Sequence, residues 1–201
     1  FTECVKKLKA NGAKVTYTIA AHDRETSQRE HFALSAPFPY THLTDETLWK
    51  RYIEGYRLAD VIVCPSSVAA NTVRKYGSDF ETKRIEIIPH GVNVPDATPP
   101  FPYRFVVGYL GAYGPDKGVR ILLDAWNKLN YKDAILLLGG KDSTHPSVRN
   151  FVNYFCPNGN MRFGGWYEDA KDFYQSISLY VQPSQTEGFG LEVLEAMAHG
   201  R

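Results

Sequence analysis

The chain has 201 residues, 43% of them apolar and 22% charged, with a formal net charge of +1. That length admits one large domain or two small ones, and the composition is that of a folded globular protein. Near-neutral charge argues against bulk nucleic-acid binding, no apolar run is long enough to span a membrane, and the cysteines, Cys4, Cys64 and Cys156, are few, odd in number and far apart in sequence, so they read as reduced thiols of a cytosolic protein rather than a disulfide framework or a zinc site.

Helical and strand patterns alternate from the start. Residues 5–10 read as a helix ended by Gly12, and residues 15–20 as a buried strand of β-branched and aromatic residues. The polar stretch 21–44 reads as a long loop. It carries His22 just past the C-terminal end of that strand, with Asp23, Arg24, Glu25 and His31 nearby. Open α/β sheets gather ligands at that edge, although a loop histidine bonded to its own backbone is the plainer reading. The spacing of His22, Asp23 and His31 fits no standard metal-ligand pattern. A helix is predicted over 47–58, a strand over 61–64, a helix capped by Ser66 or Ser67 and running to Tyr76, and a strand over 84–88. Residues 89–103 hold Pro89 and four further prolines and read as a linker between 1–95 and 96–201.

A second alternating run follows. It has a strand at 105–110, a helix with Val119, Leu122, Leu123, Trp126 and Leu129 on one face, and a strand at 134–138. A helix at 147–155, a strand at 161–163, a helix at 168–175 and a strand at 177–181 complete it. Strands alternating with helices imply parallel sheets in α/β layers.

The chemistry-bearing residues fall after these strands. Lys117 follows Gly111-Ala-Tyr-Gly-Pro-Asp116 and is expected to open a helix, where an ammonium can neutralise a diphosphate. It is not a Walker A lysine, since Gly118 follows it, and Gly108-x-x-Gly111-x-x-Gly114 is not the Rossmann spacing. Gly139-Gly140 and Gly164-Gly165 allow close approach of a nucleotide base, or simply tight turns. The last segment is Pro183-Ser-Gln-Thr-Glu187-Gly-Phe-Gly190-Leu, leading into a helix. On that helix Leu191, Leu194 and Ala198 share a face widened by Val193, Ala196 and Met197, while Glu192, Glu195 and His199 share a narrow stripe. A mostly buried helix with one polar stripe is expected. Bare N–H groups at its start suit a phosphate, and Glu187 and Glu195 suit sugar hydroxyls, unless both are merely solvated carboxylates.

Glu187 and Glu195, eight positions apart around Gly-Phe-Gly-Leu, resemble the Glu-x7-Glu motif of the retaining family 4 glycosyltransferases. Pro183-Ser, Leu194-Glu-Ala-Met-Ala198, Ala59-Asp-Val-Ile-Val-Cys-Pro-Ser66, Ile88-Pro-His-Gly-Val-Asn93 and Gly111…Asp116-Lys117-Gly118 are also similar to family segments. The resemblance covers the chain from about Ala59 onward, and the first fifty residues only loosely. It implies the GT-B fold of two Rossmann-like parallel-sheet domains, both incomplete here. Residues 1–95 would be the later part of the acceptor-side domain and residues 96–201 the first part of the nucleotide-sugar domain. A start without methionine and a stop just after a helix fit this expectation of a fragment, whose incomplete sheets would leave apolar faces uncovered.

The resemblance further implies metal-independent, retaining transfer of a hexose from a nucleotide-diphosphate sugar, with no cofactor, to a glycan, lipid-linked or small-molecule acceptor. It implies a cytoplasmic enzyme, in peripheral contact with a membrane if the acceptor is lipid-linked, and no nucleic-acid partner. By resemblance His22 and Glu187 meet the transferred sugar, and Gly111, Lys117, Gly165, Gly188, Phe189, Gly190, Leu191 and Glu195 hold the donor. The family's phosphate clamp is an arginine and a lysine five apart, but here Ala112 stands at the arginine position. Two other functions stay open: a nucleotide-sugar-binding domain without transfer, and a related GT-B sugar-phosphate synthase or phosphorylase. A phosphorylase would need a pyridoxal-phosphate lysine, which no motif identifies. No Asp-x-Asp, the usual metal-holding motif of the other major glycosyltransferase fold, occurs in the chain.

Overall fold

The computed structural model describes residues 2–18, 46–157 and 159–201. They fall into two compact units: one with the described residues up to Gly91 and Glu187–Phe189, the other with Val92–Thr186 and Gly190–Arg201.

The first unit contains α1 (Thr2–Ala10), β1 (Thr16–Thr18), α2 (Glu46–Leu58), β2 (Val61–Cys64), α3 (Ser67–Arg74), a 3-10 turn at Ser78–Phe80 and β3 (Ile85–Ile87). The strands form a parallel sheet in the order β1-β2-β3, joined by helical crossovers as parallel pairing requires. Ile62 and Cys64 are fully buried among Tyr56, Ala69, Ala70, Val73 and Phe80. β1 is shorter than expected at its start. Val15 bonds instead to Asp60, donating its N–H to Oδ2 at 2.7 Å and accepting from the Asp60 N–H at 2.8 Å. Lys9 Nζ lies 2.6 Å from Asp60 Oδ1. The Lys9 hydrogen bond, then that from Val15, hold the Asp60 carboxyl below the usual carboxylate range. α3 stops at Arg74, short of Tyr76, because the Lys75 N–H already turns back onto Thr72 and Val73.

The second unit contains β4 (Phe105–Leu110), a 3-10 turn at Pro115–Lys117, α4 (Val119–Leu129), β5 (Ala134–Gly139), α5 (Pro146–Phe155) and β6 (Met161–Gly165). It continues with α6 (Ala170–Gln175), β7 (Leu179–Tyr180) and α7 (Leu191–Ala198). Its parallel sheet has the order β6-β5-β4-β7. The chain winds outward from β4 through β5 to β6, then returns to place β7 on the other side of β4. Both faces are covered. Val107, Tyr109, Leu136 and Leu138 pack with Leu123, Trp126, Phe151 and Val152, while Val106 and Ile135 pack with Phe173, Tyr174, Ile177 and Ala196. That double burial explains why the strands read as continuous apolar runs. Leu129, expected on the buried face of α4, is 64% exposed. It is the helix's last residue, and Asn130 turns the chain away in a left-handed C-cap at φ 48°.

Candidate functional site

In an open parallel sheet the crevice for a ligand lies beyond the C-terminal ends of the strands where the winding reverses. In the second unit that point is between β4 and β7. Two loops leave it, residues 111–118 and residues 181–186, and they touch: Gln185 N–H donates to Asp116 O at 2.8 Å. Gly118 sits at φ 65°, and a methyl there would stand 2.0 Å from the Pro183 carbonyl oxygen, so the approach requires glycine. Lys117 is half-buried in the 3-10 turn ahead of Gly118. It therefore precedes α4 rather than opening it, because the left-handed Gly118 breaks the helical path.

Gly111 and Gly165 meet through Gly140. A methyl on Gly140 would lie 2.1 Å from Gly111 O, and Gly140 N–H donates to Gly165 O at 2.9 Å. Gly165 N–H in turn donates to the buried Ser143 hydroxyl at 2.9 Å. The ends of β4, β5 and β6 thus present a row of side-chain-free backbone. Beneath it, the Tyr109 phenol donates to Ala112 O and the Tyr113 phenol to Gly139 O. Burial pushes both phenols up, which keeps them donors.

The helix starts differ around this edge. α5 and α6 follow β5 and β6 and are capped by side chains: His145 Nδ1 accepts from Ser147 N–H, and Asp169 Oδ1 from Lys171 N–H. α4 and α7 follow β4 and β7 and begin on the left-handed glycines Gly118 and Gly190, with no side-chain cap.

α7 corrects the expectation of a buried apolar arc. Leu191, Val193 and Met197 are exposed, whereas Ala196 and His199 are buried and Glu192 and Glu195 half-buried. The polar stripe turns inward because Tyr174 at the end of α6 answers it. The phenol donates to Glu195 Oε2 at 2.9 Å, and its oxygen lies 3.1 Å from Glu192 O. The His199 ring stacks on that of Tyr174 at 5.2 Å. Sequence reasoning missed Tyr174, which in α6 reads as one more core aromatic, since no spacing rule pairs positions 174 and 195.

The other expected site residues lie elsewhere. Glu187, Gly188 and Phe189 cluster with the first unit, while Gly190 and Leu191 belong to the second. In the first unit the Ser66 hydroxyl accepts from Ala69 N–H at 3.1 Å and donates to Gly188 O at 2.6 Å. The His90 and Phe189 rings meet edge to face at 5.2 Å. Ser66 and His90 occur in family-like segments, but no local pattern signals that they meet residues 188 and 189. His22, with Asp23, Arg24, Glu25 and His31, lies outside the described residues. Among the described residues no three His, Cys, Asp or Glu side chains gather as a metal site, and no helix is long and apolar enough to cross a membrane.

Residues 104–201 match the model of the family described as glycosyl transferases group 1. An uncharacterized glycosyltransferase of Methanocaldococcus jannaschii is 28% identical over 178 residues, covering 82% of this chain and 47% of that protein. An uncharacterized glycosyltransferase of Haemophilus influenzae is 35% identical over 96 residues, 47% of this chain and 26% of that protein. The chain thus spans less than half the length of either of these curated relatives. Among solved structures, HepE of Anabaena in complex with UDP and glucose aligns with a TM-score of 0.70 at 18% identity, across 98% of this chain and 54% of that one. A glycosyltransferase from Rickettsia africae aligns at 0.61 and 18% identity, across 99% of this chain and 59% of that one. These likenesses show the fold: parallel-sheet α/β units of the GT-B kind.

Proposed function

Residues 104–201 belong to the glycosyl transferases group 1, and on that premise we propose that the protein is a retaining transferase. It moves a sugar from a nucleotide-diphosphate donor to a glycan, lipid-linked or small-molecule acceptor. The observation that carries this reading is that the uncapped start of α7 and the turn that bears Lys117 both follow strands at the point where the winding reverses. The start of α7, which has no side-chain cap, and the Lys117 ammonium suit the charge that develops on a leaving diphosphate. Gly111 and Gly165 let the nucleotide approach the backbone, and Glu195 accepts the ribose hydroxyls. By resemblance to the family motif we assign Glu187, with Gly188 and Phe189, and His22 to the transferred sugar. Rate then comes from positioning and from stabilising the leaving group. No Asp-x-Asp occurs in the chain, so the diphosphate is held without a divalent ion. HepE is solved with UDP and glucose, which makes those the first ligands to try. A lipid-linked acceptor would bring a cytoplasmic enzyme into peripheral contact with a membrane.

One feature favours a second reading, binding without transfer. Ala112 is exposed where the family's phosphate-clamping arginine is expected, so part of the usual positive charge is missing. A panel of nucleotide sugars screened by thermal shift on the full-length protein, followed by a product assay with the stabilising donor, separates the two. Transfer is expected, with Glu195→Ala raising the donor KM and Glu187→Ala lowering kcat. Donor binding without product would leave only the binding function, and wild-type behaviour of both variants would remove both glutamates from the site.

A further inference from the structure

We propose that Tyr174 is a positioning residue that fixes the Glu195 carboxylate, occupying Oε2 so that Oε1 is presented to the donor ribose. The proposal rests on the reading of Glu195 as the ribose acceptor.

A glutamate one turn into a helix has three side-chain torsions, and fixing them costs rotamer entropy unless a partner holds the carboxylate in advance. Tyr174 supplies a rigid partner. Its side chain is fully buried, and its ring packs against Phe173 at 5.7 Å, Tyr180 at 5.8 Å and His199 at 5.2 Å. Its carbonyl accepts from Arg201 Nε at 2.9 Å. Arg201 also donates to Pro99 O and Pro100 O at 3.0 Å, and its guanidinium lies over the Phe101 ring. The phenol is therefore anchored through both its ring and its backbone.

The phenol has one proton and two acceptors in reach, Glu195 Oε2 at 2.9 Å and Glu192 O at 3.1 Å. A carboxylate is the stronger acceptor, so the proton goes to Glu195. Burial, then the Glu195 carboxylate, push the phenol far above its ordinary range, which keeps it a donor throughout the pH range of any assay. The backbone end of the same residue is held as well: the His199 N–H and Nδ1 both lie against Glu195 O, at 3.1 and 2.8 Å. A vicinal diol offers two O–H donors, and a carboxylate with one oxygen already committed meets it in a single orientation.

The test uses the full-length protein and the affinity ratio between a ribose nucleoside diphosphate and its 2′,3′-dideoxy counterpart. Wild type is expected to favour the ribose form by about tenfold or more, the scale of hydrogen bonds to a charged group. Tyr174→Phe keeps the ring and its packing but removes the donor. It should weaken the ribose ligand severalfold, leave the dideoxy ligand unchanged and raise the donor KM with little change in kcat. In a Glu195→Ala background the same substitution should have no further effect on the ratio. A wild type indifferent to the ribose hydroxyls would overturn the reading of Glu195 and the proposal with it. A wild type that prefers ribose, lost in Glu195→Ala but intact in Tyr174→Phe, would overturn the proposal alone. If Tyr174→Phe is too unstable to assay, Tyr174→Met and Tyr174→Gln in the same ratio measurement decide it. Of these two side chains of similar length only the glutamine carries a hydrogen-bond donor, so ribose preference equal in the two would count against Tyr174.

Discussion

Two pairs of helices in the second unit begin in opposite ways. α5 and α6 start with a side chain folded back onto their first N–H groups, from His145 and Asp169. α4 and α7 start on the left-handed glycines Gly118 and Gly190 and have no such cap. The difference follows position and not composition, because the uncapped pair belongs to β4 and β7, the two strands that flank the winding reversal. Caps appear where a helix has only itself to satisfy. They are missing where a ligand is expected, so an uncapped start at a reversal point is a stronger sign of a site than a glycine-rich loop alone.

The substitution that should break this comparison most severely is Gly118→Ala. The position needs φ 65° and lies 2.0 Å, measured from the added methyl, from the Pro183 carbonyl. A backbone oxygen cannot swing aside as a side chain does, so the two loops must separate. A loss of about 2–4 kcal/mol is expected, the range for a strained backbone with a steric conflict, together with loss of nucleotide binding. A melting temperature and nucleotide affinity equal to wild type would show that the two loops do not depend on each other.

Gly190→Asp asks whether the bare start of α7 is reserved for an anion. A methyl at Gly190 makes only an ordinary 3.8 Å contact with Val193, so the change is tolerated sterically, although φ 79° costs a non-glycine residue about 1–2 kcal/mol. The new carboxylate would occupy the helix N-terminus and repel a diphosphate, lowering its affinity by about tenfold or more in calorimetry. Unchanged diphosphate affinity would remove α7 from the site. Asp169→Ala is the matching change on the capped side. It should cost about 1 kcal/mol of stability and leave nucleotide affinity alone.

Much of this contrast was legible in the sequence, and some was not. The alternation of strands and helices, and the glycines that end β4 and start α7, follow from local rules of period and φ/ψ, which a chain states one segment at a time. Strand order is not local. That β7 returns to pair with β4 is set by which apolar faces cover each other, and neither Val107 nor Leu179 announces its partner. The same limit explains the inverted stripe on α7. Periodicity reported that Glu192, Glu195 and His199 share a face, but only the presence of Tyr174 makes that face the inward one. Leu129 failed for a smaller reason: a helical wheel does not know where its helix stops.

The first unit supplies the smallest and most easily titrated form of the contrast, a carboxylate whose partners all come from the protein. Asp60 accepts from Lys9 Nζ at 2.6 Å and from Val15 N–H at 2.7 Å, and these bonds hold its carboxyl below the usual range. A group whose folded pKa is depressed stabilises the fold fully above its unfolded pKa, near 4 for aspartate, and loses that contribution as pH falls through the folded value. Asp60→Asn should therefore be less stable than wild type at pH 7. The gap should narrow below about pH 4, as wild-type Asp60 takes up its proton, so the acid limb of the variant is the shallower one. Melting curves from pH 7 down to pH 3 read this directly. Nucleotide affinity should stay unchanged, because Asp60 lies in the first unit and is not among the residues proposed to hold the donor. A stability gap that stays constant with pH would mean that Asp60 acts through its size and its bond to Val15 rather than through its charge.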